Sequence, residues 1–288
     1  MLGVPVQPER RIGRKLKATV LGRCRVNRNV LYRNLNMPRI FLINVGANSA
    51  HRATARCPLF SDGSFIFVPF PHDDDTEEML PYPVNAWPFT NNLRWHQTHV
   101  DPDWPQLTYG DYFLNPRAAA LKTAESNDIL LFWSLLWENT GDSWFDFTDR
   151  QSWHLIGALR IEEALWPGQR STDARSRNRQ RAAYNAHFSG DNSPLEPGNV
   201  VFIGDVNHSM LFEFAVPLVT QLDRTSLLYR TFRTASDEPL PLNGKHWSGY
   251  TRSCRAICDT TDRDGRKRAT ILRDAIVKRN NIDILADL

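Results

Sequence analysis

The chain has 288 residues, a length that suits one large domain or two small ones. Hydrophobic residues make up 41% of it, enough for a sizeable core, and no apolar run approaches the ~20 residues of a membrane-spanning helix. The first residues contain no hydrophobic signal segment, so we expect a soluble, cytoplasmic protein rather than a membrane or secreted one.

The net charge of +3 is unevenly distributed along the chain. Residues 1–39 contain ten Lys or Arg and one acidic residue, so the rest has 25 basic and 31 acidic residues, or −6. We therefore delimit a basic N-terminal arm, residues 1–38, and expect it to be disordered. Such an arm can hold phosphates without reading sequence. The alternative is a solvated tail, or a segment upstream of the true start, because Met37 directly precedes a good strand.

The cysteines do not form a convincing metal set. Cys254 and Cys258 have a C-x3-C spacing, but zinc would need two more ligands nearby, and His246 is the only obvious one. The sequence also lacks the glycine-rich dinucleotide and phosphate loops and the H-E-x-x-H and G-x-S-x-G motifs. We therefore expect reduced thiols, no metal and no cofactor.

The hydrophobic pattern predicts five strands along the chain. Each is a short apolar run bounded by Gly, Pro, Asp or Asn. They are "RIFLINV" (residues 39–45), "SFIFVPF" (64–70), "DILLFWSLLW" (128–137), "WHLIGALRIEEAL" (153–165) and "GNVVFIGD" (198–205). The third and fourth are predicted to pair across an acidic, aromatic connection.

Three further segments are predicted to be helical. Asn115 can cap "NPRAAALKTAES", with Pro116 in its first turn. "HSMLFEFAVPL" (208–218) is predicted to start a helix, and "GRKRATILRDAIVKR" (265–279) has an apolar stripe opposite a basic face. Residues 168–183 contain five Arg and one Asp without an apolar face, which indicates an exposed insert.

Strands and helices mix without the regular alternation of a doubly wound fold. The sequence therefore predicts an α+β protein with a mixed, mostly antiparallel sheet or partly closed barrel and peripheral helices. Its single main domain is predicted to span residues 39–218. Residues 219–288 are predicted to form a C-terminal extension with a basic amphipathic helix.

Polar side chains cluster in several places where predicted strands end. Each group alone suits a turn or a helix cap as well as a site. Together they supply Asn amides that match a nucleobase edge, aromatic faces for stacking, and carboxylates that can activate water or stabilise a cationic sugar. The groups are Asn44, Asn48, Ser49 and His51; Asp62 and Ser64; His99, Asp101, Asp103, Tyr109 and Asp111; and Asn185 and His187.

Several blocks of the sequence resemble the nucleotide-modification-associated domain of the third type. They are "RCPLFSDGSFIFVPFP", "HVDPDWPQLTYGD", "NDILLFWSLLW" followed by "HLIGALRIEEAL", "NAHF" and "VVFIGDVNHSMLFEFAVPL". Trp104 stands where that family usually has Phe, Trp133 where it usually has Tyr, and Asn127 where it tends to have Gly. The resemblance covers about residues 39–218. It implies an α+β domain linked to base modification in DNA, often in phage or defence settings.

We therefore expect a protein that acts on modified, phage-derived DNA as a glycosylase-like hydrolase. It would cleave the N-glycosidic bond of a flipped-out base, with Asp62 or Asp111 orienting water and His187 protonating the departing base. The predicted catalytic residues are Asn48, Asp62, Asp111 and His187. The predicted substrate-binding residues are Ser49, His51, Phe65, Asp101, Tyr109 and Asn185. The predicted DNA-backbone contacts are Arg175, Arg177, Arg179, Arg181, Arg266, Lys267 and Arg268.

Two other functions stay open at this point. A non-catalytic reader of modified bases needs the pocket and the aromatic residues but no essential carboxylate. An enzyme that installs or elaborates a base modification, with or without a partner protein, needs a co-substrate that no motif in the sequence identifies.

Overall fold

A mixed eight-stranded sheet forms the centre of the protein in a computed structural model that describes residues 37–71, 80–91, 97–168, 173–188, 197–219, 224–234, 236–240 and 253–286. The strands are β1 (Ile40–Asn44), β2 (Cys57–Leu59), β3 (Phe70–Pro71), β4 (Leu80–Pro81), β5 (Gln97–His99), β6 (Thr108–Tyr112), β7 (Ile129–Asn139), β8 (Phe147–Leu165), β9 (Asn199–Gly204), β10 (Met210–Val219) and β11 (Ser253–Cys258). β3, β5 and β4 form a separate small sheet.

The main sheet is built around the antiparallel hairpin of β7 and β8. Its strand order is β11-β1-β7-β8-β9-β6, with β2 also paired to β7 and β10 also paired to β8. β1 and β2 run parallel to β7, and the other pairs are antiparallel. The sheet does not close into a barrel, because β11 and β6 are its two ends.

The long strand β8 has two strands in succession along one edge. β9 pairs with Ile161–Leu165, and β10 pairs with the stretch from Trp153 to Ala158. Residues 205–209 connect β9 to β10. Within this connection, Ser209 Oγ accepts a hydrogen bond from the backbone amide of Arg160 in β8. β6 pairs with β9 alone and is therefore an edge strand of the sheet.

Both faces of the sheet are covered. One hydrophobic core contains Phe132 and Phe202, and the other contains Trp133 together with the buried side of α3 (Arg263–Asn280). A third, small cluster lies under α1 (Asp173–Ala182), where Ala182 and Phe188 pack on β9. A short helix, α2 (Leu227–Thr231), and 3-10 turns at Ser49–His51, Val84–Phe89, Ala119–Thr123 and Trp144–Asp146 complete the described elements.

The structure confirms the α+β class with a mixed, mostly antiparallel sheet, and this sheet is not closed into the partly closed barrel given as the alternative. Four predicted strands correspond to β1, β7, β8 and β9, and the last predicted helix corresponds to α3. The described residues belong to one compact unit, Asn34–Leu288. The residues after 218 contribute β11 to the same sheet, where it pairs with β1. The predicted basic arm lies outside the described residues, apart from residues 37 and 38.

Three predicted elements were wrong. The segment predicted as a helix at 208–218 instead contributes to β10 (Met210–Val219), because β8 offers it hydrogen-bonding partners along its edge. The segment 64–70 makes only single bridges at Ser64 and Phe65 before β3. The helix predicted after Asn115 is a series of turns ending in the 3-10 turn at Ala119–Thr123. The Arg-rich insert forms α1, which buries Asn178 and Ala182 against the sheet.

Candidate functional site

A buried carboxylate organises a polar cluster beside the edge strand β6. Asp101 Oδ1 accepts hydrogen bonds from the Gly110 amide at 3.0 Å and from Asn185 Nδ2 at 2.6 Å. Asp101 Oδ2 lies 3.4 Å from His187 Nε2. We call these residues, with Thr108 and Asn199, the Asp101–His187 site. Its members come from three distant parts of the chain.

Asn185 connects the turn after α1 to β6 through its side-chain hydrogen bonds. It is 2% exposed, and its Nδ2 donates to Thr108 Oγ1 at 3.3 Å as well as to Asp101. Its Oδ1 accepts from the amide of His187 at 3.0 Å, which closes a turn that presents the imidazole. The amide therefore uses both its donor and its acceptor ends, and its orientation is determined by these partners.

Gly110 is required by the close approach of this turn to the strand. A Cβ atom on Gly110 would lie 2.3 Å from Asn185 Oδ1 and 2.5 Å from His187 Cδ2. Both distances are far below van der Waals contact, so any side chain at position 110 would displace the turn. The glycine of the "TYGD" block thus makes room for the two side chains of the "NAHF" block.

His187 is more accessible to solvent than its partner Asp101. Its side chain is 17% exposed, whereas that of Asp101 is 4% exposed. Its other ring nitrogen, Nδ1, lies 3.3 Å from Asn199 Oδ1, a long contact. A carboxylate that is held by two donors and faces one imidazole nitrogen can fix the ring and stabilise the imidazolium, as in catalytic triads. Nδ1, which contacts Asn199 Oδ1, is the ring nitrogen that can exchange a proton with a ligand.

Asp103 is a second buried carboxylate close to Asp101. Its backbone pairs with that of Thr108 in both directions, at 2.9 and 3.1 Å, and the Gln106 amide donates to Oδ1 at 3.2 Å. Burial raises the pKa of Asp103, and the neighbouring charge of Asp101 raises it further. Asp103 therefore supports the loop that carries Asp101.

Tyr109 and Asp111 point to the opposite face of β6, because side chains alternate along a strand. The ring of Tyr109 packs 5.3 Å from that of Phe132 and is 4% exposed. Its hydroxyl donates to Asp111 Oδ2 at 2.7 Å. The structure thus brings Asp101, Asn185 and His187 together, and places Asp111 behind the strand from His187.

Asn48, Ser49 and His51 form a local helix cap after β1. Asn48 Oδ1 accepts from the Ala50 amide at 3.0 Å, and the Asn48 amide donates to His51 Nδ1 at 3.2 Å. Ser49 begins the 3-10 turn, and the His51 ring stacks on Phe70 with centroids 5.9 Å apart. These contacts join residues within the cap or its near neighbour, Phe70, and none of those cited reaches the Asp101–His187 site.

Asp62 lies in an exposed turn near α3. Its Oδ1 accepts from both the hydroxyl and the amide of Ser64, at 2.7 and 2.8 Å, and these hydrogen bonds lower its pKa. Its carbonyl accepts from Arg279 of α3 at 3.1 Å. Phe65 is partly buried and packs against both large cores. None of these contacts involves His187.

The predicted DNA-backbone cations occupy two helices. On α1, Arg177 is exposed, Arg179 lies over Phe188 at 5.8 Å, and Arg181 donates to the carbonyls of Gln106 and Gly204 at 3.0 and 2.7 Å. Arg181 therefore holds the loop before β6, and the side chain of Arg175 lies outside the described residues.

On α3, the three cations all have partners. Arg266 donates to the carbonyl of Thr261 at 3.1 Å, Lys267 pairs with Asp264 at 3.0 Å, and Arg268 lies 3.5 Å from Asp237. Arg266 and Lys267 are exposed, so their positive charge remains available at the surface.

Sequence reasoning missed Thr108, which accepts from Asn185; Asn199, which contacts His187; and Tyr112, the cross-strand partner of Asn199. The signal was present in the alternation of "TYGDY": Thr108, Gly110 and Tyr112 share one face, and Tyr109 and Asp111 share the other. The position of Asn199 needed the register of β9 on β6, which no local pattern encodes.

Comparison with known proteins gives a single result. No curated protein and no solved structure matches the chain. Within the described residues, no helix is long and apolar enough to cross a membrane, and no group of three His, Cys, Asp or Glu side chains is arranged to hold a metal ion. The profile of nucleotide modification associated domain 3 matches residues 39–262, well over half of the chain. The chain therefore belongs to the nucleotide modification associated domain 3 family, and its role is linked to nucleotide modification.

Proposed function

We propose that the protein is a DNA glycosylase-like hydrolase that cleaves the N-glycosidic bond of a modified, flipped-out base, with Asp101 and His187 as its catalytic dyad. The observation that supports this most is the fixed carboxylate–imidazole pair, with Asp101 Oδ2 3.4 Å from His187 Nε2 and the imidazole partly exposed. The family's link to nucleotide modification supports a substrate of the nucleotide class.

The proposed reaction needs only water as co-substrate. Protonated His187 donates a proton from Nδ1 to the departing base as the C–N bond breaks and positive charge develops on the sugar. Water then adds to the anomeric carbon, and its proton returns to His187. Asp101 stabilises the imidazolium in the first step and keeps the ring in place for the second. The products are the free base and an abasic sugar.

The proposal changes the roles of the residues predicted from sequence. Asp101 replaces Asp62 as the carboxylate of the site, since Asp62 lies in an exposed turn beside α3. Asn185 becomes a positioning residue for Asp101 and His187. Asp111 supports β6 from its other face through Tyr109.

The DNA would be modified, phage-derived DNA met in the cytoplasm during defence. The exposed cations on two helices support contact with a phosphate backbone, because such contacts need charge and reach rather than a defined pocket. These cations are Arg177 on α1 and Arg266 and Lys267 on α3.

The direct test incubates the purified full chain with plain and with hypermodified phage DNA and counts alkali-labile abasic sites. We expect abasic sites in modified DNA alone. His187→Gln and Asp101→Asn should lower the single-turnover rate by about 10²- to 10⁴-fold, the usual contribution of a positioned acid–base group. Asp142→Asn, which changes an exposed carboxylate in the loop between β7 and β8, is the matched control and should leave the rate unchanged.

Other outcomes would replace the hydrolase with one of its alternatives. Tight binding to modified DNA without any product would identify a reader. A gain in mass of the DNA in the presence of cell extract would identify an enzyme that installs or elaborates a modification. Cleavage that survives His187→Gln would contradict the assigned dyad.

A further inference from the structure

Tyr112 and Asn199 lie beside His187 on one face of the sheet. The two residues are directly opposite each other in the register of β6 and β9. Cross-strand partners share a face and have Cβ atoms about 5 Å apart, so both point to the side on which Gly110 meets His187. Asn199 Oδ1 reaches His187 Nδ1 at 3.3 Å.

Tyr112 presents an aromatic face at the surface of the protein. Its ring lies over Gly198, where φ is +101° and a Cβ atom would lie 2.4 Å from Tyr112 Cε2. The side chain is 44% exposed, in contrast to the buried ring of Tyr109, which is three positions earlier in β6 and on its other face. The absence of a side chain at Gly198 therefore makes room for the Tyr112 ring, which belongs to none of the three hydrophobic clusters.

Asn199 has spare hydrogen-bonding capacity next to this ring. Its Oδ1 contacts His187, while its Nδ2 has no hydrogen-bond partner among the described residues. A half-buried amide with a free donor, beside an exposed ring and an imidazole, offers both an edge and a face to a flat heterocycle. Nucleobases have such a flat face and such an edge.

We propose that Tyr112 and Asn199 form the base-recognition half of the Asp101–His187 site. Tyr112 stacks on the extruded nucleobase, Asn199 Nδ2 donates to its edge, and His187 Nδ1 faces the base. The ligand class is therefore a single nucleobase outside its helix. This inference rests on the proposed function for the identity of the polymer, but it concerns binding and not cleavage.

The test measures equilibrium binding of the full chain to a labelled fragment of hypermodified phage DNA by fluorescence anisotropy. Tyr112→Leu covers Gly198 with a side chain of similar reach but removes the aromatic face, and should weaken binding by about 5- to 100-fold. Tyr112→Phe keeps the face and should bind within twofold of the native chain. Asn199→Leu removes the edge contact and should weaken binding for the modified fragment.

The matched control is Phe145→Ala, which removes another aromatic side chain, 92% exposed, in the loop between β7 and β8. It should bind like the native chain. Equal affinities for Tyr112→Leu and Tyr112→Phe would overturn the inference, as would failure of the native chain to bind the fragment. Binding that depends on the Tyr112 ring, without formation of abasic sites, would refute the hydrolase. It would still support base recognition by Tyr112 and Asn199.

Discussion

Asn48 and Asn185 are equally buried, at 2% exposure each, but they stabilise different kinds of structure. The side chain of Asn48 accepts from Ala50, two residues away. Asn185 donates to Asp101 and Thr108, which are 84 and 77 residues away in the sequence. The first contact completes a local cap, whereas the second joins the turn after α1 to an edge strand.

This difference distinguishes the helix cap around Asn48 from the Asp101–His187 site. A cap forms wherever a short helix starts, so its polar residues need no functional explanation. A buried carboxylate can be held by residues from distant segments only in the folded chain. Its oxygens need hydrogen-bond partners there, because an unpaired buried polar group is costly. It also leaves one ring edge of His187 at the surface. We therefore assign the chemistry to the Asp101–His187 site.

The strongest test of this comparison changes Asn to Asp in both regions. Asn185→Asp would place a second carboxylate at the position that now lies 2.6 Å from Asp101 and would remove the donor between them. We expect a loss of about 3–5 kcal/mol in the free energy of unfolding, as when a buried charge loses its partner. Asn48→Asp keeps the capping acceptor and should cost at least about 2 kcal/mol less. Urea denaturation at pH 7 measures both, and equal losses would contradict the distinction.

A buried histidine in the β7–β8 hairpin predicts a pH-dependent stability. His154 is opposite Ser134 in the β7–β8 hairpin, and burial lowers its pKa to about 4. The unfolded state, with a pKa near ~6.5, then binds the proton more tightly, so stability is complete above that pH and falls as the pH drops towards 4. The loss should approach about 3 kcal/mol.

Urea denaturation at pH 7.5 and pH 4.5 measures this effect. His154→Gln, which cannot titrate, should show a correspondingly smaller difference between the two pH values. Equal pH dependence in both proteins would show that His154 is not the group responsible.

Gly110→Ala should perturb the site through packing alone. The new Cβ would meet Asn185 and His187 at 2.3 and 2.5 Å, and such overpacking costs about 1–3 kcal/mol. The imidazole resonances of His187 in a ¹H–¹⁵N spectrum should shift. Gly168→Ala, where a Cβ would meet nothing within 4 Å, carries only a backbone cost and should leave those resonances in place. Unshifted His187 resonances in Gly110→Ala would refute the close approach.

The smallest effect is expected at Asp62. Asp62→Asn keeps an oxygen that can accept from Ser64, and the residue is exposed. We expect no measurable change in the denaturation midpoint and a cleavage rate within twofold of the native rate. A large fall in the rate would show that Asp62 takes part in the reaction and would contradict the assignment of the chemistry to the Asp101–His187 site alone.

Much of the fold was readable from local sequence patterns. The apolar runs of β1, β7, β8 and β9 encode strands that are buried almost continuously, and the apolar stripe of α3 follows the 3.6-residue period of a helix. β10 was misread as a helix because its state depends on the free edge of β8, which is more than fifty residues earlier in the chain. Strand pairing of this kind has no local signature.

The sequence by itself determined which residue types were available to the site, including Asp101, Asn185 and His187, and the glycine that lets them approach. Only the tertiary structure decided that these three meet, that Asp111 faces away from them, and that Asn199 contacts His187 while its cross-strand partner Tyr112 shares that face. The physical reason is that a strand's register and exposed face are set by partners distant in sequence, whereas caps and turns are set by the residues next to them.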